Sequence, residues 1–134
     1  MFESKTVQEA KKAVSLAQND PESAKFDGVT ECANHDMAQG FVNSKNLFGA
    51  YSGRSHFIYT HGVVFQNIEG QGTARPYLLA EENCRTGKET GKALVERIQQ
   101  EMDEDLERQA NEVMEAANAV LSEADAALGH HPAN

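Results

Sequence analysis

The chain has 134 residues, of which 40% are hydrophobic and 7% aromatic, and its formal net charge at pH 7 is -9. That length fits one domain of ordinary size with a core of modest volume. No run of about 18 apolar residues is present, so the sequence predicts no membrane-spanning helix. The acidic balance argues against direct binding of DNA or RNA, because such binding needs a basic surface that displaces counterions from phosphates.

The first five residues lack the basic-then-apolar pattern of a secretory signal. Two locations therefore stay open at this stage. The protein is cytoplasmic, or it is periplasmic or exported and its signal has been replaced by Met1.

The negative charge is concentrated towards the C-terminus. Residues 95–128 include ten acidic and two basic residues, a charge of -8, whereas the rest of the chain has eleven acidic and ten basic residues, a charge of -1. Such a segment is typical of a solvated face that keeps a protein soluble. It would also suit a basic partner surface or mimicry of nucleic acid.

A helix is predicted near the N-terminus. Thr6 and Glu9 have the spacing of a capping box. Apolar residues then recur at the helical spacing of one buried face, namely Ala10, Ala13, Val14 and Ala17. Asp20 precedes Pro21, which disfavours the α conformation at the residue before it, so the helix is expected to end there.

The middle of the chain predicts short strands separated by tight turns, which favour an antiparallel sheet. The candidate strands are residues 26–33, 37–43, 55–60, 63–68 and 76–79. In the third of these, alternation places Phe57 and Tyr59 on one face of the sheet. His56 and Ile58 are expected on the other.

The last segment predicts one long amphipathic helix. A capping box at residues 86–89 would start it, and Gly129 suits the position after its end. Apolar residues recur every three or four positions along it, at Val95, Ile98, Met102, Leu106, Ala110, Val113, Ala117, Val120, Ala124 and Leu128. About 40 helical residues span roughly 60 Å, more than the ~35–40 Å diameter expected of the domain. We therefore expect this stripe to pair with another helix, as in a coiled coil, rather than to fold back as a helical hairpin.

These patterns predict an α+β fold with an N-terminal helix, an antiparallel sheet of four to five strands and a long C-terminal amphipathic helix. The expected organisation is a helix-plus-sheet domain at 1–85, a long acidic helix at 86–129 and a disordered tail at 130–134. Cys32 and Cys84 are too few for a disulfide framework. They form a single bridge in an oxidising compartment, or they are two separate buried thiols, and the sequence does not decide between these.

The central region carries two spaced motifs. The first is D-P-x-S-A-x-F, at residues 20–26, and the second is G-x-V-N-x-K-N-x-x-G-x-Y-x-G, at residues 40–53, followed by a strand that contains Phe57 and Ile58. The region resembles a family of small bacterial proteins of unknown function that are usually exported or lipoprotein-like. The resemblance implies an α+β fold and supplies no catalytic residue. A cysteine of the family falls on Gln39 here, which weakens any inherited disulfide, and the acidic helix lies beyond the family core.

The second motif is rich in residues that shape loops. Its members are Asn43, Lys45, Asn46, Gly49, Tyr51 and Gly53. Asparagine and glycine accept positive φ values, and asparagine side chains bond to nearby backbone. We interpret the motif mainly as loop architecture, with ligand or peptide binding as the alternative.

The sequence predicts no catalytic, cofactor or metal site. Candidate zinc ligands are His35, Asp36, His56 and His61, but the two later histidines are expected on opposite faces. Ser52 or Ser55 with His56 and Asp36 could form a nucleophilic triad only if the fold joined them. Phosphate-binding and dinucleotide-binding glycine patterns are missing.

The predicted function is that of a non-enzymatic accessory protein that associates with a second copy of itself, or with another protein, through the long helix. One alternative is an acidic, phage-type inhibitor whose acidic face, at Asp103, Glu104 and Glu107, occupies a basic site on a partner. The other is an envelope module that binds a ligand or peptide at the Asn/Gly-rich loop.

Overall fold

The computed structural model describes residues 3–67 and 75–127. Its elements are α1 (Lys5–Leu16), β1 (Lys25–Glu31), β2 (Met37–Asn43), β3 (Ser55–Thr60), β4 (Val63–Gln66), α2 (Arg75–Thr86) and α3 (Gly91–Ala127). The chain divides into two compact units, the first ending at Ile98 and the second beginning at Gln99. We call the described residues of the first unit the body, and residues 99–127 of α3 the distal segment.

The four strands form an antiparallel meander in the order β1-β2-β3-β4. The bounds of β2 and β3 are those predicted. β4 ends at Gln66, and Ile68, which was predicted to belong to it, lies outside the described residues. The register of β1 shifts between Asp27 and Thr30, where Gly28 has a φ of 61°. This is a β-bulge at a sheet edge, which interrupts the regular pairing of an edge strand.

The sheet has a helical layer on each face, and alternation along the strands divides the buried side chains between the two layers. On one face, α1 packs against β2 and β3 through Val7, Ala10, Val14, Ala38, Val42, Phe57 and Tyr59. On the other, α2 and the start of α3 pack through Met37, Ile58, Phe65, Tyr77, Ala80, Cys84, Leu94 and Ile98. The fold is therefore α+β, with the N-terminal helix, four-stranded sheet and long C-terminal helix that the sequence predicted.

The prediction of a fifth strand at residues 76–79 is wrong, because these residues belong to α2. Tyr77, Ala80 and Cys84 are three and four positions apart and all are buried on one side of the helix. Pro76 occupies the first turn, where proline is tolerated because the N–H it lacks has no intrahelical partner there. A short apolar run fits both the strand period of two and the helix period of 3.6. The burial of Tyr77, Ala80 and Cys84 together identifies the helix.

The capping box predicted for α1 is also wrong. The cap is Ser4, whose Oγ accepts a hydrogen bond from the Val7 N–H at 3.2 Å. The Thr6 hydroxyl instead donates to the carbonyl of His35 at 2.8 Å. Starting two residues earlier brings Val7 into the buried row of the helix, which favours the Ser4 cap.

The start of the long helix is at Gly91 rather than at the predicted capping box of residues 86–89. Gly87 has a φ of 67° and its N–H donates to the carbonyl of Asn83, so it ends α2 in the way that glycine commonly ends helices. The cap of α3 is Thr90, whose Oγ1 accepts from the Ala93 N–H at 3.1 Å. From Gly91 the helix is continuous for 37 residues, as predicted, and no helical hairpin forms within the described part of the chain.

Cys32 and Cys84 are joined by a disulfide that links the residue after β1 to the last turn of α2. Both are buried, and the Ala33 N–H donates to the carbonyl of Cys84 at 2.8 Å. The alternative of two separate thiols is therefore wrong. The bridge ties α2, and with it the approach to α3, to the first strand of the sheet.

Candidate helix interface and exposed loop

Six large apolar side chains of the distal segment are exposed to solvent. They are 49–68% exposed, and they are Met102, Leu106, Val113, Met114, Val120 and Leu121. Single exposed apolar residues are ordinary on protein surfaces, but a contiguous set marks an interaction site.

These side chains follow one line along the helix. Because about 3.6 residues complete a helical turn, the predicted members from Met102 to Ala124 fall within an arc of about 80°. We call them the stripe: Met102, Leu106, Ala110, Val113, Ala117, Val120 and Ala124. Met114 and Leu121, seven residues apart, widen the arc on one side to about 120°. The arc contains no charged residue between Leu106 and Ala124.

The stripe differs from the row of α3 that packs in the body. Gly91, Leu94 and Ile98 form that row and are buried. By helical period, this row continues into the acidic residues Glu101 and Asp105. The stripe is rotated from the row by about a quarter turn around the helix axis. Ile98, predicted as an interface residue, is therefore a core residue. Val95 is only partly buried, and Leu128 lies outside the described residues.

The acidic residues flank the stripe on both sides. Asp103, Glu104 and Glu107 are exposed and, by helical period, lie on one side of it. Glu101 and Asp105 lie on the other. The one-sided acidic surface that an inhibitor of basic sites needs is therefore not favoured by this distribution.

The Asn/Gly-rich loop is held by hydrogen bonds within itself and to its flanks. Asn46 Oδ1 accepts from the N–H groups of Phe48 at 2.9 Å and of Ala50 at 3.2 Å. Asn43 Oδ1 accepts from the Gly53 N–H at 3.2 Å. Gly49 and Gly53 have φ values of 80° and 95°, where a side chain would be strained. The two asparagines and two glycines therefore shape the loop.

Lys45 and Tyr51 close the base of the same loop. They form an isolated antiparallel bridge, and the Tyr51 hydroxyl donates to the carbonyl of Ser23 at 3.2 Å. Lys25 Nζ lies 4.6 Å and Lys45 Nζ 5.8 Å from the centre of the Tyr51 ring, within cation–π range. The base therefore carries two positive charges.

The tip of the loop presents two apolar side chains. Leu47 is 84% and Phe48 94% exposed. A fixed backbone that holds a fully exposed aromatic ring is typical of a contact site rather than of a core. The sequence contains a signal for this tip, namely an apolar pair within a polar segment rich in Gly and Asn.

Among the described residues, the histidines belong to no cluster of three potential metal ligands. His56 lies on the face of the sheet opposite Phe57 and Tyr59, as predicted, and that face is covered by α2. Its Nδ1 is 2.7 Å from the Tyr77 hydroxyl, and its Nε2 is 3.0 Å from Gln39 Oε1. Both ring nitrogens are thus in use. Burial lowers the pKa of His56, partly opposed by the charge of Glu81, and burial raises the pKa of Tyr77.

Asp36, considered above as a triad member with His56, accepts hydrogen bonds from the first residues of α3. Its Oδ1 accepts from the Gly91 N–H at 3.0 Å, and its Oδ2 accepts from the Lys92 N–H at 3.3 Å and lies 3.0 Å from His61 Nε2. Burial alone would raise the pKa of Asp36, but the hydrogen bonds from Gly91, His61 and Lys92 outweigh it, and the pKa is lowered. A carboxylate at a helix N-terminus is favoured by the free N–H groups there.

Within residues 3–67 and 75–127, no three potential ligands among His, Cys, Asp and Glu converge on a point that could hold a metal ion. Among the described helices, none combines the length and apolar character needed to cross a membrane. No protein-family model, curated protein or solved structure matches this chain. The resemblance of its central region to a family of small bacterial proteins therefore stays a prediction.

Proposed function

We propose that this protein is a non-enzymatic association module in which the stripe of the distal segment pairs with the same stripe of a second copy. The observation that supports the proposal is the continuous, charge-free line of exposed apolar side chains from Leu106 to Ala124. A helix with such a line in water has its lowest free energy when the line is covered.

The size of the stripe suits a reversible contact. Full burial of one Val, Leu or Met side chain contributes about 1.5–3 kcal/mol, and association itself costs about 4–15 kcal/mol. The distal segment exposes six large side chains, four of them in the stripe, and their combined contribution is of the same order as that cost. We therefore expect a dimer that forms at micromolar concentration and dissociates on dilution.

The disulfide supports an oxidising location for this assembly. Structural disulfides persist in the periplasm and outside the cell and are rare in the cytosol. Cys32 and Cys84 are both buried, so the bridge is placed to stabilise the body rather than to exchange with external thiols. We propose that the protein works in an exported compartment.

Sedimentation velocity across a concentration series tests the association. Val113→Glu places a charge in the stripe and should abolish self-association. Ala119→Glu is the matched control, because residue 119 lies on the opposite side of the same helix by its period and is also exposed. A wild-type protein that stays strictly monomeric at high micromolar concentration would remove the proposal.

The loop supports a second candidate, a module that binds an acidic, apolar peptide. The exposed side chains of Leu47 and Phe48 would pack against apolar residues of the peptide. Lys25 and Lys45 would form ion pairs with its acidic residues. Peptides selected from a random displayed library against the full chain should lose binding to the Leu47→Ser/Phe48→Ser double variant and keep it with Val113→Glu. Selected peptides that bind both variants equally would exclude the loop as their site.

A further inference from the structure

The stripe alternates large and small side chains with a period of seven. Its large members after Met102 are Leu106, Val113 and Val120, and its small members are Ala110, Ala117 and Ala124. In heptad terms the large residues occupy one core position and the alanines the other. The pattern continues for 19 residues, about 27 Å of helix.

We infer that two copies pair along this stripe in antiparallel orientation, with the two-fold axis passing between the two helices at the level of residue 115. This rests on the proposed function and adds to it the direction and register of the helices. The six layers are symmetric about that position. One copy's Leu106, Ala110 and Val113 face Ala124, Val120 and Ala117 of the second copy, and the other three layers repeat these pairs in reverse.

Every layer of the antiparallel pair thus joins one alanine to one larger aliphatic residue. The volume between the helices is nearly constant, so the two axes stay equally spaced and no layer leaves a void. One position of the two-fold axis pairs an alanine with a larger residue in all six layers. No adjustment of register is needed between one end of the stripe and the other.

A parallel, in-register pair lacks this match. It places alanine against alanine at 110, 117 and 124, and large against large at 106, 113 and 120. The helices would be too far apart at the alanine layers or too close at the others, at the cost of cavities or overpacking.

The charges favour the same orientation. Residues 99–108 include five acids and one base, a charge of -4 within ten residues. Parallel pairing would bring the two clusters together, with Asp103 of each copy in the same core position. Antiparallel pairing places the clusters at opposite ends of the contact, where each lies level with Glu123 and Asp125 of the second copy instead of a second cluster. Two acids in place of five lower the repulsion without removing it.

The Met114 side chain gives a further contact at the axis. It borders the stripe, is 63% exposed, and lies one residue from position 115. In the antiparallel pair, Met114 of each copy lies near Met114 of the other, and Ala116 lies near Ala116 on the opposite edge. In a parallel pair neither residue meets its own counterpart, because edge positions there face different positions of the second helix.

Single-cysteine variants of the full chain test the orientation by oxidative cross-linking on non-reducing gels, since Cys32 and Cys84 are already bonded to one another. Leu106→Cys and Ala124→Cys should each fail to cross-link alone, and should cross-link when mixed, one of the two carrying a mass tag. Ala116→Cys should cross-link to itself. Ser122→Cys, on the outer face by helical period, is the control that should remain monomeric.

Self-cross-linking of Leu106→Cys and of Ala124→Cys, with no mixed product, would overturn the antiparallel orientation and leave self-association standing. Dimers in sedimentation that give no cross-link at any stripe position would overturn the inference and move the contact to another surface. A monomer in sedimentation with no cross-link would remove the proposed function itself.

Discussion

Leu94 and Leu106 are the same residue type on the same helix, twelve positions apart, and their environments are opposite. Leu94 is completely buried against the sheet, whereas Leu106 is 62% exposed. The row that contains Leu94 turns acidic after Ile98, and a separate apolar row begins at Met102. Helical periodicity therefore assigns a residue to a face, but the partner of that face depends on the tertiary structure.

The largest test of this contrast is to truncate each leucine in turn. Leu94→Ala should lower the free energy of unfolding by about 3–5 kcal/mol, because it removes a buried side chain and leaves a cavity. Leu106→Ala should change it by about 0.5 kcal/mol or less, measured by urea denaturation at a concentration where the chain is monomeric. Equal effects would mean that Leu106 is covered by its own chain.

Removal of the disulfide tests the body by itself. The bond closes a loop with a sequence separation of 52, and its loss in Cys32→Ala/Cys84→Ala should cost about 3–4 kcal/mol, since the unfolded chain regains its freedom. Sedimentation of the folded variant should still show self-association, because the two substitutions leave every stripe residue unchanged. A variant as stable as the wild type would show that the bond does not constrain the unfolded chain.

The close approach of α3 to the sheet predicts a smaller effect. A Cβ on Gly91 would lie 1.9 Å from Thr60 Oγ1 and 2.8 Å from Met37 Cγ, so Gly91→Ala should destabilise the body by about 1–3 kcal/mol. The clash is shared with Thr60, and the double variant Gly91→Ala/Thr60→Ala should therefore lose less than the sum of the single losses. Thermal denaturation measures all three, and strict additivity would argue against the clash.

The smallest expected effect concerns the charge that holds the start of α3. The pKa of Asp36 is lowered in the folded state, so its charge contributes stability above the unfolded pKa near 3.8 and loses that contribution as the pH falls through the lower folded value. Asp36→Asn should cost about 1 kcal/mol at pH 7, comparable to a lost N-cap. The difference from wild type, followed by urea denaturation, should shrink below about pH 4. A pH-independent difference would assign the effect to packing instead.

Much of the fold could be predicted because its periodicities are long or clean. The alternation in β3 gives both its limits and its faces, and the long helix has a pattern that continues for more than thirty residues. The apolar row was predicted from Val95 to Leu128 on the same basis; its members from Met102 to Ala124 are exposed, whereas Ile98 is buried. Its wider edge at Met114 and Leu121 was missed, because only one residue per turn was assigned to the stripe.

Short elements and helix starts could not be predicted in this way. The run that contains Tyr77 fits strand and helix equally, and only its burial against β3 and β4 makes it part of α2. Ser4 and Thr6 are both good caps, and contacts with the sheet select the first. The loop tip at Leu47 and Phe48 belongs to the same group, since exposure is a property of the folded loop.

The sequence by itself determined the N-terminal helix, the two central strands, the continuous helix and the alternation of large and small residues along its stripe. Each of these is a repeated local pattern in which many residues agree. Only the tertiary structure decided that α2 is a helix, that Cys32 bonds Cys84, that Asp36 accepts from the first N–H groups of α3 and that burial along α3 ends at Ile98. Those outcomes depend on residues distant in the chain, whose proximity no local period encodes.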